Sequence, residues 1–431
     1  MTGTTRLAPD TALQRLEELG RSSDPSNYIV DGIPPRVALE LASPEAVAEA
    51  LALCAAAGLA LVPWGGGGQM GLGNLPERYD VALDLRGLAA VVDYEPDDLT
   101  IGVQAGCTLA RLAAILSEHG QMLPLDADDP ERITIGGLVA TGLGCPRRFG
   151  YGSLRDLIIG ITVALPDGTL ARGGGMVVKN VSGYDMMRLH FGALGSLGVI
   201  VRANFKLLPS PEAQRTLLVA FPSLEEAMEG ALAVRGSQLA PTALVVLAPV
   251  TAERFVGMAR WTLAARCEGP EGAVLRQAER LAETAASATS EARILEHEET
   301  LRFWSSLQGK LAATPLVDVI RVRIGELPSR LGELAARLVT EWGSALEDAV
   351  LDVGSGLAFA TLAGTVEELR AAWTRLAGYG RHATMLAAPR DVKAGYDVFG
   401  RPPEGVAVMR RLKETFDPER TLNPGRFIAL L

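Results

Sequence analysis

The groups best placed to do chemistry in this chain belong to the backbone. Glycine-rich stretches run from Trp64-Gly65-Gly66-Gly67-Gly68-Gln69-Met70-Gly71-Leu72-Gly73, through Thr134-Ile135-Gly136-Gly137-Leu138-Val139-Ala140-Thr141-Gly142-Leu143-Gly144, to a zone between Gly173 and Gly198. Glycine lacks a Cβ and reaches positive φ, so neighbouring N–H groups can converge on one anion. The first stretch can cradle a diphosphate in this way. The second, with its run of small residues, can lie flat against a bulky planar ring. Proton-moving side chains are scarce by comparison. The histidines are His119, His190, His297 and His382, and no two have ligand spacing.

Other phosphate loops fit less well. A Walker-type loop needs Gly-Lys-Ser/Thr at its end, and no lysine lies between Trp64 and Arg78. A Rossmann fingerprint matches by letter at Gly66, Gly68 and Gly71, with Asp84 at the place of a ribose acid. The continuation Leu72-Gly73-Asn74-Leu75-Pro76 puts glycine and proline where its helix should begin. Taken alone, the first loop is read equally well as a tight turn. The second stretch, taken alone, is also a helix packed closely through Gly and Ala.

These loops need elements to hold them. Ser43-Pro44-Glu45 starts a helix that runs over Ala46–Ala57 and stops at Gly58, and Leu59–Pro63 is a strand feeding the first loop. Thr108–His119 has a helical apolar pattern, while Leu157–Leu165 and Val199–Leu208 read as strands. Pro209-Ser210-Pro211 is the clearest boundary. Beyond it come helices at 224–234, 271–285, 330–342 and 366–377, with strands at 242–247, 317–324 and 357–362. No internal repeat is visible. The segments are an N-terminal helical piece (1–35), a glycine-loop domain (36–210), a second α+β domain (211–385) and a returning tail (386–431).

The chain has 431 residues with 41 Lys plus Arg against 51 Asp plus Glu, a net charge of −10, which argues against a nucleic-acid binder. Cys54, Cys107, Cys145 and Cys267 lie far apart, so this chain alone builds no iron–sulfur cluster or zinc ribbon, and no metal site is expected. No signal peptide or membrane span is evident, and the expected location is the cytoplasm.

With these residues in view, the chain resembles the PCMH-type FAD-binding domain of the vanillyl-alcohol oxidase superfamily. The likeness rests on the first loop, Thr134-Ile135-Gly136-Gly137, and Tyr151-Gly152-Ser153-Leu154-Arg155-Asp156. Two later segments, Lys179-Asn180-Val181-Ser182-Gly183-Tyr184-Asp185-Met186 and Phe191 to Ile200, are similar to the flavin D-2-hydroxyacid dehydrogenase and glycolate oxidase branch, as is Phe416-Asp417-Pro418 with Asn423-Pro424-Gly425-Arg426. The implied fold class is α+β, an FAD domain of two α/β lobes plus an α+β cap. By the same resemblance Trp64, Gly65, Gly66, Gly67, Gly68, Gln69, Met70 and Gly71 hold the diphosphate. Thr134, Gly136, Gly137, Gly144, Tyr151 and Gly152 lie on the flavin side, Gly198, Val199 and Ile200 contact FAD through backbone, and Asn423 is a further candidate. Some relatives link FAD through a histidine near the first loop. Gln69 stands there instead, so the FAD is expected to be non-covalent, and Cys145 is expected to be a buried thiol.

The branch also implies a histidine base and a divalent metal in the second domain. Val350-Leu351-Asp352-Val353-Gly354-Ser355-Gly356-Leu357 and Leu386-Ala387-Ala388-Pro389-Arg390 occupy those places without a histidine. His382, Arg321 and Arg323 remain as candidates to act on a substrate. A chain that keeps the FAD loops but lacks this set resembles the second flavoprotein subunit of glycolate oxidase complexes. There a sister flavoprotein carries the full site for a small 2-hydroxyacid, and an iron–sulfur subunit takes electrons onward. The alternatives are an autonomous D-2-hydroxyacid dehydrogenase and a non-catalytic assembly subunit.

Overall fold

The computed structural model describes residues 7–177, 184–313 and 317–431. The segment Lys179 to Gly183, part of the likeness above, lies outside the described residues.

The first lobe is a sheet in the spatial order Arg21–Ser23, Val37–Glu40, Val81–Asp84, Leu61–Trp64. The last two pairings are parallel. Val81–Asp84, paired on both edges, is buried at every position, as expected for a strand covered on both faces. The helix Pro44–Ala57 follows from local chemistry. Ser43 Oγ accepts the Ala46 N–H at 3.1 Å, Pro44 fills the first turn, and Gly58 ends it at φ +69°. The segment before residue 36 is not separate from this lobe. Arg21–Ser23 adds an antiparallel edge strand, and the helix Pro9–Leu19 buries Ala12 and Leu16 in the same core.

The second lobe is an antiparallel sheet ordered Val91–Glu95, Thr100–Gln104, Val199–Lys206, Ile158–Ala164, Leu170–Gly174. The short helix Ile135–Thr141 packs against it through Ile135 and Val139.

After the Pro209-Ser210-Pro211 boundary comes a sheet of eight strands. It has a repeat that the residues did not display. Ala213–Phe221, Leu224–Gly236, Ala243–Leu247, Trp261–Gly269, Glu271–Ala285 and Glu291–Leu295 form one strand–helix–strand–strand–helix–strand unit. Val319–Gly325, Leu331–Trp342, Leu346–Asp352, Leu357–Ala363, Val366–Leu376 and His382–Ala387 form another. Each is ferredoxin-like. The halves join where Val245, Val246 and Leu247 pair with Asp352, Leu351 and Val350. The helices Leu224–Gly236, Glu271–Ala285, Leu331–Trp342 and Val366–Leu376 share one core with one face of the sheet. The opposite face packs on Trp304, Leu307 and Leu311 of the helix His297–Leu311, and on Leu72 and Leu143 of the glycine stretches.

The tail returns to the first lobe. Leu61 N–H donates to Thr421 O at 2.7 Å and Asn423 N–H donates to Leu61 O at 2.9 Å, so Leu422 extends the sheet edge beside the strand that feeds the first loop. Lys413, buried, holds that turn through Asp417, Ser196 O and Leu422 O. Among the described residues no helix is long and apolar enough to cross a membrane.

Candidate cofactor cleft

The strand Leu61–Trp64 delivers the chain into the first glycine loop at its C-terminal end, where open α/β sheets place ligands. The loop then packs onto the second glycine stretch. A Cβ on Gly65 would sit 2.1 Å from Thr134 Oγ1, and one on Gly66 would sit 1.6 Å from Arg132 O. Gly67 has φ +74° and faces the Trp64 ring. Gly68 differs: a Cβ there meets nothing within 4 Å. These glycines let two backbone segments close on one another while leaving Gly68 facing open space.

The cleft so formed is lined by Gly65–Gly68, Gln69, Met70, Arg132, Thr134, Gly137, Thr141, Leu194, Asn423 and Arg426, with Pro63, Leu72, Ile133, Leu138 and Ala140. Among the described residues the backbone N–H groups of Gly65 through Met70 have no acceptor. These residues are half-buried, and a consecutive unclaimed set of amides converging on a cleft has the form of an anion nest. Several carbonyls of the loop are engaged by cationic side chains. Arg132 Nε donates to Gly66 O, Arg426 Nη2 to Met70 O at 3.1 Å and Leu72 O at 2.7 Å, and Lys393 Nζ to Gly71 O at 2.8 Å and Gly73 O at 3.3 Å. Arg426 Nε, a buried donor, also lacks a partner, as does the buried acceptor Asn423 Oδ1. The loop amides and Arg426 Nε are donors that fit an anionic diphosphate; the Asn423 oxygen is not.

Of the residues singled out in the sequence, the cleft brings together Gly65, Gly66, Gly67, Gly68, Gln69, Met70, Thr134, Gly137 and Asn423. Thr134 also caps the helix Ile135–Thr141, accepting the Gly137 N–H at 3.3 Å. Gln69 reaches the large sheet's side, where its Oε1 accepts the Ala313 N–H at 2.8 Å. Trp64 sits behind the loop, its indole N–H donating to Tyr79 Oη at 2.7 Å. Gly71 is pressed beneath Ala313 O, and Gly136 against Ala105. Tyr151 stacks near the Arg147 guanidinium, and Gly152 turns the chain at φ +81°. Val199 and Ile200 open a strand of the second lobe's sheet and Gly198 directly precedes it; all three are buried and do not line the cleft. Arg132, Lys393 and Arg426 were not singled out. Arg426 stood in a motif chosen for its asparagine, and nothing local marked the other two.

The candidates for substrate chemistry divide. Arg321 Nη1 donates to Gly309 O at 3.1 Å and Ala312 O at 2.9 Å, closing the C terminus of the helix His297–Leu311, a placement that suits a cation. His382 lies at an exposed strand end against Gly325. Burial and the charges of Arg323 and Arg381 hold its pKa below the usual histidine value. Arg323 lines a smaller cavity with Gly144, Cys145, Arg148, Asp352 and Phe359, and its Nε has no partner. Burial pushes the Cys145 thiol up to about 12, so it stays protonated and inert at neutral pH. His190 is buried against Phe416, and burial lowers it to about 4. Among the described residues no three His, Cys, Asp or Glu side chains gather to hold a metal.

Asp352 carries a pH consequence. It is buried in that cavity, and burial raises its pKa to about 6, against the opposing pull of Ser355 hydrogen bonds and Arg148. The unfolded chain releases this proton near 4. Between about pH 4 and 6 the native state therefore holds more protons, and stability falls as pH rises through that window. Two pKa units correspond to at most about 3 kcal/mol. Asp352→Asn should raise the melting midpoint at pH 7.5 and leave it nearly unchanged at pH 4; equal shifts at both values would assign the effect to packing instead.

Similarity to known proteins agrees with this cleft. Residues 35–174 match a family model described as an FAD binding domain, and residues 396–427 match the C-terminal domain of FAD linked oxidases. Glycolate oxidase subunit GlcE of Escherichia coli is 33% identical over 354 residues, covering 81% of this chain and 87% of that protein. Glycolate oxidase subunit GlcD of Bacillus subtilis is 26% identical over 89% of this chain and 87% of its own length. D-2-hydroxyglutarate dehydrogenase of Xanthomonas citri pv. viticola is 29% identical over 90% and 89%. Among solved structures, p-cresol methylhydroxylase with substrate bound superposes with a TM-score of 0.74 over 99% of this chain and 97% of that one, at 17% identity, which shows a shared fold.

Proposed function

The chain belongs to the FAD-binding oxidoreductase family that includes glycolate oxidase subunit GlcE, and from that premise we propose that it is the FAD-carrying subunit of a 2-hydroxyacid-oxidising complex. The observation that carries the proposal is the glycine loop whose N–H groups from Gly65 to Met70 are unclaimed at the cleft. In this reading Gly65–Met70 hold the diphosphate, and Thr134, Gly137 and Asn423 face the rest of the molecule. Gly71, Gly136 and Gly144 support those segments by close packing. Gly198 to Ile200, buried at the start of their strand, contribute shape rather than direct contact. FAD, when bound, supplies a two-electron acceptor. The lining residues include no histidine, cysteine or tyrosine, which supports a dissociable rather than covalently linked cofactor.

Partners follow from the same reading. A sister flavoprotein with a complete histidine and metal set performs the oxidation, and an iron–sulfur subunit accepts the electrons. The lack of a metal-binding cluster among the described residues supports such a division of labour. A second reading, an autonomous dehydrogenase, draws on the cavity where Arg148, Arg323 and Asp352 meet between the second lobe and the large sheet. An anaerobic visible spectrum of the purified chain separates the two. Flavin bands that persist after glycolate or D-lactate is added are the expected result. Bleaching by either acid would show that this chain oxidises the substrate without its partners.

A further inference from the structure

The carbonyl side of the glycine loop shows an imbalance of charge. Lys393 and Arg426 are nearly inaccessible, at 1% and 4% exposure, and Arg132 joins them on the loop. Together these cations occupy the carbonyls of Gly66, Met70, Gly71, Leu72 and Gly73. Among the described residues the one carboxylate hydrogen-bonded to any of their side-chain nitrogens is Asp31, 2.7 Å from Lys393 Nζ, while Asp129 takes the Arg132 backbone N–H. Burying a charge without a counter-charge is costly. Burial pulls the pKa of both Lys393 and Arg426 below their ordinary values, with Asp31 opposing. Arg426 also lines the cleft, and its buried Nε has no partner.

We propose that Lys393 and Arg426 form a cationic backing behind the glycine loop that selects for ligands bearing a diphosphate. The proposal rests on the reading that the loop holds the FAD diphosphate. The geometry serves it in two ways. The bonds to the carbonyls of Met70, Gly71, Leu72 and Gly73 anchor the stretch that directly follows the unclaimed amides of Gly65 to Met70 and so fix where those amides lie. The uncompensated positive charge then sits directly behind the place where phosphate oxygens would lie, in surroundings that screen it little. Because Lys393 and Arg426 lie in the tail and Asp31 in the first forty residues, the backing forms only when both ends of the chain have docked.

The test compares a flavin with the diphosphate against one without it. The chain is stripped of flavin and titrated with FAD and with riboflavin, following flavin fluorescence, for wild type, Lys393→Met and Arg426→Met. Each substitution should weaken FAD at least about tenfold, the scale of one lost charge-assisted contact, and leave riboflavin affinity unchanged. Equal loss for both ligands, or no loss for FAD, overturns the proposal. Asp31→Asn is the variant of opposite sign, and it should tighten FAD if it folds. Inorganic pyrophosphate gives a reading without flavin: it should raise the melting midpoint of wild type more than that of Arg426→Met. If wild type binds neither FAD nor pyrophosphate, both the backing and the cofactor reading fail. If it binds pyrophosphate but no flavin, the backing stands and the cofactor reading falls.

Discussion

Gly68→Asp is expected to leave the fold intact and strip the chain of its flavin. The argument rests on what surrounds this one glycine. A Cβ at Gly65 or Gly66 collides with Thr134 or Arg132, and one at Gly67 meets the Trp64 ring at 2.8 Å with φ at +74°. Substitutions there disturb the loop itself and report on folding. Gly68 has no atom within 4 Å of its Cβ position, so a carboxylate there extends into the cleft without moving protein. Two like charges about 5 Å apart at an effective dielectric of about 20 repel by about 3 kcal/mol, roughly two orders of magnitude in affinity. Gly68→Ala, which adds bulk without charge, should lose far less. The check is flavin content and melting midpoint for both variants. Full flavin content in Gly68→Asp would remove the diphosphate from this loop.

The second large effect is on the joint between the two halves of the molecule. Arg147, just after the second glycine stretch, makes a two-pronged contact with Glu268 of the large sheet, at 2.6 and 3.2 Å. Arg266, beside it, donates to Asp126 at 2.8 Å and to Gln214 Oε1. Glu268 is fully buried and also accepts from Thr242. Removing one member of a buried ion pair leaves an uncompensated charge, at a cost of about 3–5 kcal/mol. Glu268→Ala should therefore lower the melting midpoint sharply and loosen the large sheet from the cofactor lobes. Glu268→Gln, which keeps hydrogen-bonding capacity, should lie between. A Glu268→Ala protein as stable as wild type would mean that the apolar contacts around Leu72, Leu143 and Trp304 hold this joint alone.

How far the molecule could be read from its residues depends on the range of the interaction. The helix Pro44–Ala57 was fully legible, because its cap, its first-turn proline and its terminal glycine act within a few residues. The glycine loop by itself read equally as an anion cradle or a tight turn, because glycine spacing sets backbone freedom and does not specify a ligand. Strands buried on both faces were harder. Ala213–Phe221, Trp261–Gly269 and Leu346–Asp352 carry little alternation, so period alone did not mark them. The paired strand–helix units of the large sheet share a pattern of elements and not of residues, and so passed unseen. Arg321 illustrates the limit for side chains: it was a candidate to act on a substrate alongside Arg323, but a helix end nearby claims its guanidinium. Lys393 meets Gly71 across 322 residues of chain, a contact with no local signal at all.

The account stands on FAD being held at this cleft without a covalent bond. The most direct measurement is to precipitate the purified chain with acid and assay flavin in both fractions. The prediction is FAD in the supernatant, stoichiometric with protein, and a colourless pellet. Flavin remaining with the pellet would contradict the dissociable cofactor, and flavin in neither fraction would contradict the cofactor site itself.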